Sequence, residues 1–363
     1  MIRTLYRDHI RPRAFALDAE HAHELAARAL TAAHRSAWMR SLVRDALAPR
    51  RDPALVTRLF GREFASPVGV AAGFDKGAVM YNALGAMGFG FVEVGTVTAL
   101  AQPGNDRPRL FRLPDDRAVV NRMGFNNPGA EAAAASIRAE PPVDVVLGVN
   151  LGKSKVTALD DAAKDYAASA KLLAPLADYV VINVSSPNTP GLRSLQSVDS
   201  LRDIVRAVRG VAGEVPLLVK IAPDLADEDV DDVADLALAE GLAGVVATNT
   251  TVSRAGLASA PDVVEAAGAG GLSGAPVRGR STAVIGRVWK RTNGRVPVVG
   301  VGGVFTADDA WEKVRAGASL VQVYTGFIYE GPTLARDLCE GLSKRVREGG
   351  FGCLSDAVGS AWR

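Results

Sequence analysis

Tyr179-Val180-Val181-Ile182-Asn183-Val184-Ser185-Ser186-Pro187-Asn188-Thr189-Pro190-Gly191 joins two kinds of sequence in one stretch. The first residues form an apolar, β-branched run of the kind that makes a buried strand. Asn, Ser and Thr follow at the carboxyl end of that strand, and two prolines fix φ in the loop beyond it. The segment has no acid, His or Cys. Its carboxamides and hydroxyls can hydrogen-bond a flat polar ring and offer an alkoxide-type base. Ser, Asn, Pro and Gly are also the ordinary residues of turns, so the segment by itself reads first as a plain turn.

The same unit recurs along the chain. Strands are predicted at 68–72, 91–97, 145–151, 179–184, 217–221, 244–249, 296–301 and 320–324. Amphipathic helices are expected near 77–87, 129–139, 160–174, 199–211, 227–240, 281–292, 307–316 and 332–347. Eight regularly spaced β/α units favour closure into an α/β (β/α)8 TIM barrel over a doubly wound open sheet. Two connections are too long for simple loops. One, at 98–128, reads as a β-hairpin built from 109–113 and 118–122 around Pro114-Asp115-Asp116. The other, at 250–280, is rich in Gly and Ala and reads as a loop. Both follow strands, and both therefore belong to the carboxyl-terminal face, where such barrels keep their chemistry.

Residues 1–50 differ from the rest and are expected to form an N-terminal amphipathic helical extension to a catalytic barrel at 51–363. Asp18 can cap a helix bearing Ala22, Leu25, Ala26, Ala29 and Leu30. A second helix near 37–47 carries Trp38, Met39, Leu42, Val43 and Leu47 among arginines. Residues 1–51 hold ten Arg against five acids, whereas the remainder holds 32 basic and 35 acidic side chains. Such a helical pair suits an anionic membrane surface or packing on the barrel floor. No apolar run approaches the ~20 residues of a membrane span, and the N-terminus has no signal-peptide core. The slightly acidic body without interleaved basic and aromatic residues argues against nucleic acid. The two cysteines, Cys339 and Cys353, have no metal-ligand spacing and read as structural or free thiols of a reducing compartment. All four histidines lie at positions 9–34, so chemistry in the barrel must move protons with something else.

The strand ends carry the polar groups. Ala71-Ala72-Gly73-Phe74-Asp75-Lys76 brings a lysine to the mouth after the first strand, and Thr96, Asn150 and Asn183 end the next three. The fifth carries Lys220, the sixth ends Thr248-Asn249-Thr250, and the last two end Gly300-Val301-Gly302-Gly303 and Tyr324-Thr325-Gly326. Glycine turns after the last two strands are where such barrels bind phosphate through backbone N–H groups. Lys220 lies in an otherwise apolar strand. It either reaches solvent at the rim or needs an anion, such as the N1–C2 edge of a reduced flavin. The Asn side chains match the donors and acceptors of a flavin or pyrimidine ring.

Taken together, these segments resemble the class 2, quinone-dependent dihydroorotate dehydrogenases. The resemblance rests on Ala72-Gly73-Phe74-Asp75-Lys76, the run Asn121-Arg122-Met123-Gly124-Phe125-Asn126-Asn127, Asn183 to Gly191, and Gly271-Leu272-Ser273-Gly274. Thr248-Asn249-Thr250 and Gly302-Gly303 complete it. It implies FMN bound at Ala72, Gly73, Phe74, Asp75, Lys76, Thr96, Asn150, Asn183, Lys220, Thr248, Gly274, Gly303, Tyr324 and Thr325. It implies dihydroorotate at Lys76, Asn121, Arg122, Met123, Gly124, Phe125, Asn183, Asn188, Asn249 and Thr250, with Ser186 as catalytic base. A Ser hydroxyl is a weak base and must relay its proton, through water near Thr189 and Phe125.

The soluble relatives in this resemblance use Cys at the base position and lack the extension. Ser186 together with the extension implies a membrane quinone as acceptor, a tunnel lined by His23 and Arg109, and peripheral attachment at the cytoplasmic face of the cell membrane. The product, orotate, places the reaction in pyrimidine biosynthesis. Two alternatives remain: an FMN barrel acting on another substrate such as a 2-hydroxy acid, and a non-redox barrel holding a phosphate ligand. The first normally employs a His base, and the second leaves Lys220 and the Ser-Pro-Asn loop without a role.

Overall fold

The computed structural model describes residues 2–189 and 191–363, so Pro190 of the expected loop lies outside the described residues. Its strands in chain order are β1 (Thr57–Leu59), β2 (Arg62–Phe64), β3 (Val68–Val70), β4 (Phe91–Val97), β5 (Leu110–Leu113), β6 (Ala118–Asn121) and β7 (Val146–Leu151). They continue as β8 (Tyr179–Asn183), β9 (Leu217–Ile221), β10 (Gly244–Ala247), β11 (Gly271–Gly274), β12 (Val298–Val301) and β13 (Ala318–Val323). Strands β3, β4, β7, β8, β9, β10, β12 and β13 close into one barrel, in that order. All of its pairings are parallel, as the β/α alternation requires. The eight predicted strands and eight predicted helices are all present, and the 307–316 and 217–221 elements have the expected bounds.

Period-2 alternation sorts each strand into inward and outward residues. Val92 and Val94 face the helices, while Phe91, Tyr179, Val181, Leu218, Val246, Val299 and Leu320 fill the lower interior. Glycines make room for the aromatic rings there. A Cβ at Gly69 would come within 2.6 Å of the Phe91 ring, and one at Gly148 within 2.1 Å of Tyr179. The β1–β2 hairpin, which the sequence reading missed, closes the floor. Its Phe64 is fully buried, with its ring 5.4 Å from that of Phe91.

Over the mouth, β5 and β6 form the expected hairpin. The 250–280 segment, expected to be loop, supplies a third strand: β11 pairs antiparallel with β6. Its Gly content is what lets it fit, because a Cβ on Gly271 would lie 2.0 Å from the Thr250 hydroxyl.

The extension holds the two expected helices, Ala19–Arg35 and Ala37–Leu47. Asp18 Oδ1 accepts from the His21 N–H at 2.9 Å and caps the first of them. A further helical segment at 2–15, which the sequence reading did not foresee, precedes them. The pair does not lie on the floor alone: both helices pack on Tyr81–Ala86, and Ala19–Arg35 also touches β5 of the mouth sheet. Among the described residues, no helix is long and apolar enough to cross a membrane.

Candidate active site

A cleft of about 1040 Å³, counting its open mouth, lies at the carboxyl ends of the barrel strands under the β5–β6–β11 sheet. Most of the predicted site residues line it, including Lys76, Asn121, Phe125, Ser186, Asn249 and Tyr324. Arg122, Phe74, Asp75, Asn150, His23 and Arg109 do not. Their positions have clear physical causes. Arg122 turns away, donating to the Ala269 carbonyl at 3.1 Å and stacking 4.4 Å over Phe111. Asp75 is fully buried and accepts from the N–H groups of Val79 and Met80, so it shapes the Lys76 loop from behind.

The alternation that buries Asn150 and Asn183 also joins them. Asn150 Oδ1 accepts from Thr96 Oγ1 at 2.6 Å and from Asn183 Nδ2 at 3.0 Å. Asn183 Oδ1 in turn accepts from the Ser185 hydroxyl at 2.8 Å, and Asn249 Nδ2 donates to that hydroxyl at 2.8 Å. Across the cleft, Asn188 Nδ2 donates to both Asn121 oxygens at 3.1 Å. The Asn188 N–H donates to Ser186 Oγ at 3.2 Å, which fixes that oxygen in a residue only 5% exposed. Carboxamides from four chain segments thus converge on the cleft, each oriented by a hydrogen bond; two of them hold the Ser185 hydroxyl, and the Asn188 backbone holds that of Ser186.

Lys76 is a half-buried cation at the mouth of the cleft. Burial lowers its pKa to about 8, with Glu20 opposing that shift and Arg109 reinforcing it. Glu20, which the sequence reading missed, comes from the first helix of the extension. Arg109 grips it through Nε at 3.0 Å and Nη2 at 2.7 Å, and donates Nη1 to the carbonyls of Pro103 and Asn105. All three guanidinium nitrogens of Arg109 are engaged. His23 meets the Phe74 ring edge-on at 5.0 Å, and Phe74 meets Tyr324 at 5.7 Å. Burial, with Lys76 adding to it, lowers the His23 pKa to about 4 and keeps the imidazole neutral. A histidine from outside the barrel therefore reaches the wall of the mouth.

The glycine turns expected to hold phosphate are present at the cleft. Gly302 and Gly303 have φ of 122° and 71°, and a Cβ on Gly303 would lie 2.7 Å from the Arg278 backbone, so only glycine fits. Gly274 and Thr325 line the same end. At the other end Lys220 enters the cleft. Its carboxylate neighbour is Glu93, at 3.6 Å, a fully buried residue that sequence reasoning also missed. The signal was an acid inside Phe91-Val92-Glu93-Val94, at an inward position of an apolar strand.

The model of the family described as dihydroorotate dehydrogenase matches residues 54–346. The chain belongs to the dihydroorotate dehydrogenase family. A relative from Mycolicibacterium paratuberculosis, named dihydroorotate dehydrogenase (quinone), is 54% identical over 96% of this chain and 93% of its own. One of the same name from Rhodococcus erythropolis is 56% identical over 95% of this chain and 96% of its own. Among solved structures, DHODH from Eimeria tenella in complex with ferulenol is 38% identical, with a TM-score of 0.85 over 95% of this chain and 96% of that one. The matches to these dihydroorotate dehydrogenases extend beyond the barrel into the N-terminal extension.

Proposed function

We propose that this chain oxidises (S)-dihydroorotate to orotate, the dehydrogenase step of pyrimidine biosynthesis, with FMN as cofactor and a membrane quinone as final acceptor. The observation that carries this reading is the web of Asn121, Asn183, Asn188 and Asn249 in a cleft that also holds Ser186 and Lys76. It matches a planar ring bearing amides and one carboxylate. Lys76 pairs with the carboxylate, and the carboxamides hold the ring N–H and C=O groups. Ser186 takes the C5 proton and passes it outward through the Thr189 side of the loop. FMN held by these residues would supply a two-electron acceptor for the hydride leaving C6 and a donor of those two electrons to a quinone, which would take up two protons.

The residues fit that cofactor. Gly302, Gly303 and Thr325 offer a backbone cradle for its phosphate. Thr96, Asn183 and Lys220 form the polar wall for its ring, Asn150 holds the first two from behind, and Gln322, whose buried Oε1 has no partner among the described residues, lines the same wall. Ala72, Gly73, Thr248, Gly274 and Tyr324 complete the enclosure, with Phe74 and Asp75 shaping the first loop from behind.

Residues 1–50 form the membrane-associating segment and 51–363 the catalytic barrel. Leu5, Ile10, Leu17, Leu25, Trp38 and Leu42 are exposed on the extension, among arginines, as for a helix lying at an anionic surface. The enzyme sits peripherally on the cytoplasmic face of the cell membrane. Quinone enters past neutral His23 and Phe74, with Arg109 and Glu20 framing the opening.

Replacing Ser186 tests the chemistry. Ser186→Ala keeps bound FMN but slows single-turnover flavin reduction by dihydroorotate about 10²–10⁴-fold at neutral pH. Unchanged single-turnover reduction overturns the base assignment. A purified protein that is colourless and takes up no FMN overturns the whole reading.

A further inference from the structure

Glu93 is an odd residue to bury. Strand β4 turns Phe91 and Glu93 inward on successive inward positions, so the carboxylate sits directly above the apolar floor of the barrel. An uncompensated carboxylate there would be costly. Other barrel strands supply its partners: Asn150 Nδ2 from β7 donates to Oε1 at 2.7 Å, and Gln322 Nε2 from β13 donates to Oε2 at 2.7 Å. Lys220 Nζ from β9 lies 3.6 Å from Oε1. Both oxygens accept and a cation stands beside them, which is the donor set of an ionised carboxylate. Lys220, Gln322 and Thr96 line the cleft above, whereas Glu93 does not. The carboxylate therefore reaches the cleft only through the groups it holds.

We propose that Glu93 is a positioning residue that holds Lys220 in the wall of the cofactor cleft and sets, through the sum of the two charges, how readily that cofactor is reduced. The inference rests on the FMN reading and deepens it. Lys220 alone would favour the extra negative charge of a reduced flavin. A carboxylate 3.6 Å from that ammonium cancels much of its field in a site of low dielectric. The pair thus poises the flavin between a donor that must reduce it and a quinone that must reoxidise it. Asn150 transmits the same restraint to Asn183, because its amide bridges Glu93 and the Asn183–Thr96 cluster.

Redox titration of the bound flavin in the full-length holoenzyme, followed by flavin absorbance, tests this. Glu93→Gln keeps the size and removes the charge. Gln322, whose Oε1 has no partner among the described residues, can turn its amide to accept from the new NH2 group. The midpoint potential is expected to rise, by tenfold or more in the reduction equilibrium, about 30 mV for a two-electron couple. Lys220→Met is expected to move it down. Should Glu93→Gln fail to retain FMN, Glu93→Asp withdraws the charge from Lys220, and a smaller rise is expected. A yellow variant, of either kind, with the wild-type midpoint overturns the role of Glu93. A colourless wild-type protein overturns instead the FMN reading beneath it.

Discussion

Phe91, Tyr179 and Leu320 are shut inside the barrel at 0–1% exposure, whereas Leu25, Trp38 and Leu42 of the N-terminal helices expose 43%, 69% and 57% of their surface. The barrel hides apolar side chains on both faces of its strands, inside against the floor hairpin and outside against the helices. The extension packs Leu30, Val43 and Leu47 inward but leaves a second apolar set uncovered. Beyond such contacts, and that of Phe15 with Tyr329, its attachment is polar. Glu20 is gripped by Arg109, Arg3 bonds Glu330 at 2.6 Å, and Arg11 donates to the Tyr329 carbonyl at 3.0 Å. One region is held by burial in its own core, and the other is tethered by side chains while it presents an apolar face outward. An exposed apolar set of that kind marks a surface that meets another phase or partner.

Substitutions that probe burial should separate the two regions most sharply. Phe91→Ala removes a ring packed against Phe64 and is expected to cost about 3–5 kcal/mol of unfolding free energy. Trp38→Ser, at an exposed position, is expected to stay within about 0.5 kcal/mol in the absence of membranes. Denaturant midpoints measure both. A Phe91→Ala loss no larger than that of Trp38→Ser would erase the contrast.

The converse experiment uses anionic lipid vesicles. Trp38→Ser combined with Leu42→Ser is expected to weaken vesicle binding by about 10²–10⁴-fold, since each side chain forfeits about 1.5–3 kcal/mol of burial. Flavin reduction by dihydroorotate should be untouched. Equal vesicle affinity in a co-sedimentation assay would show that the apolar face serves something other than the bilayer.

The same contrast explains what was legible in the sequence. Strands buried on both faces write continuous Val, Ile and Leu runs, and each helix writes an apolar stripe, so all eight units could be placed from periodicity. The mouth polar groups were legible because Asn150, Asn183 and Lys220 interrupt those runs at their carboxyl ends. The 2–15 segment was not, because its arginines and scattered apolar residues have little stripe to read, and long-range bonds such as Tyr6 Oη to the Ile328 carbonyl hold it. Strand β11 was hidden for the opposite reason: glycine carries no β-propensity, and only the close approach to Thr250 explains it. Glu20 and Glu93 escaped notice because their partners lie far away in sequence, on Arg109 and on Asn150, Lys220 and Gln322.

Lys76 stands at the seam between the two regions, and its titration gives the finest test of their coupling. Burial in the barrel mouth lowers its pKa to about 8, and Glu20 of the extension pulls in the other direction. In the proposed site only the ammonium form would pair with a substrate carboxylate. Below pH 8 the free site already holds its proton, so orotate affinity should change little with Lys76. Above it the free site loses the proton that the complex retains, and the dissociation constant should climb by up to tenfold per pH unit. Glu20→Gln removes a carboxylate that favours the charged lysine, so the climb should begin at lower pH. Orotate titrations between pH 6 and pH 9, with and without that substitution, measure both effects. An onset that Glu20→Gln leaves in place would mean that the barrel alone sets the charge of its mouth, and that the extension is a neighbour of the substrate site without electrostatic influence on it.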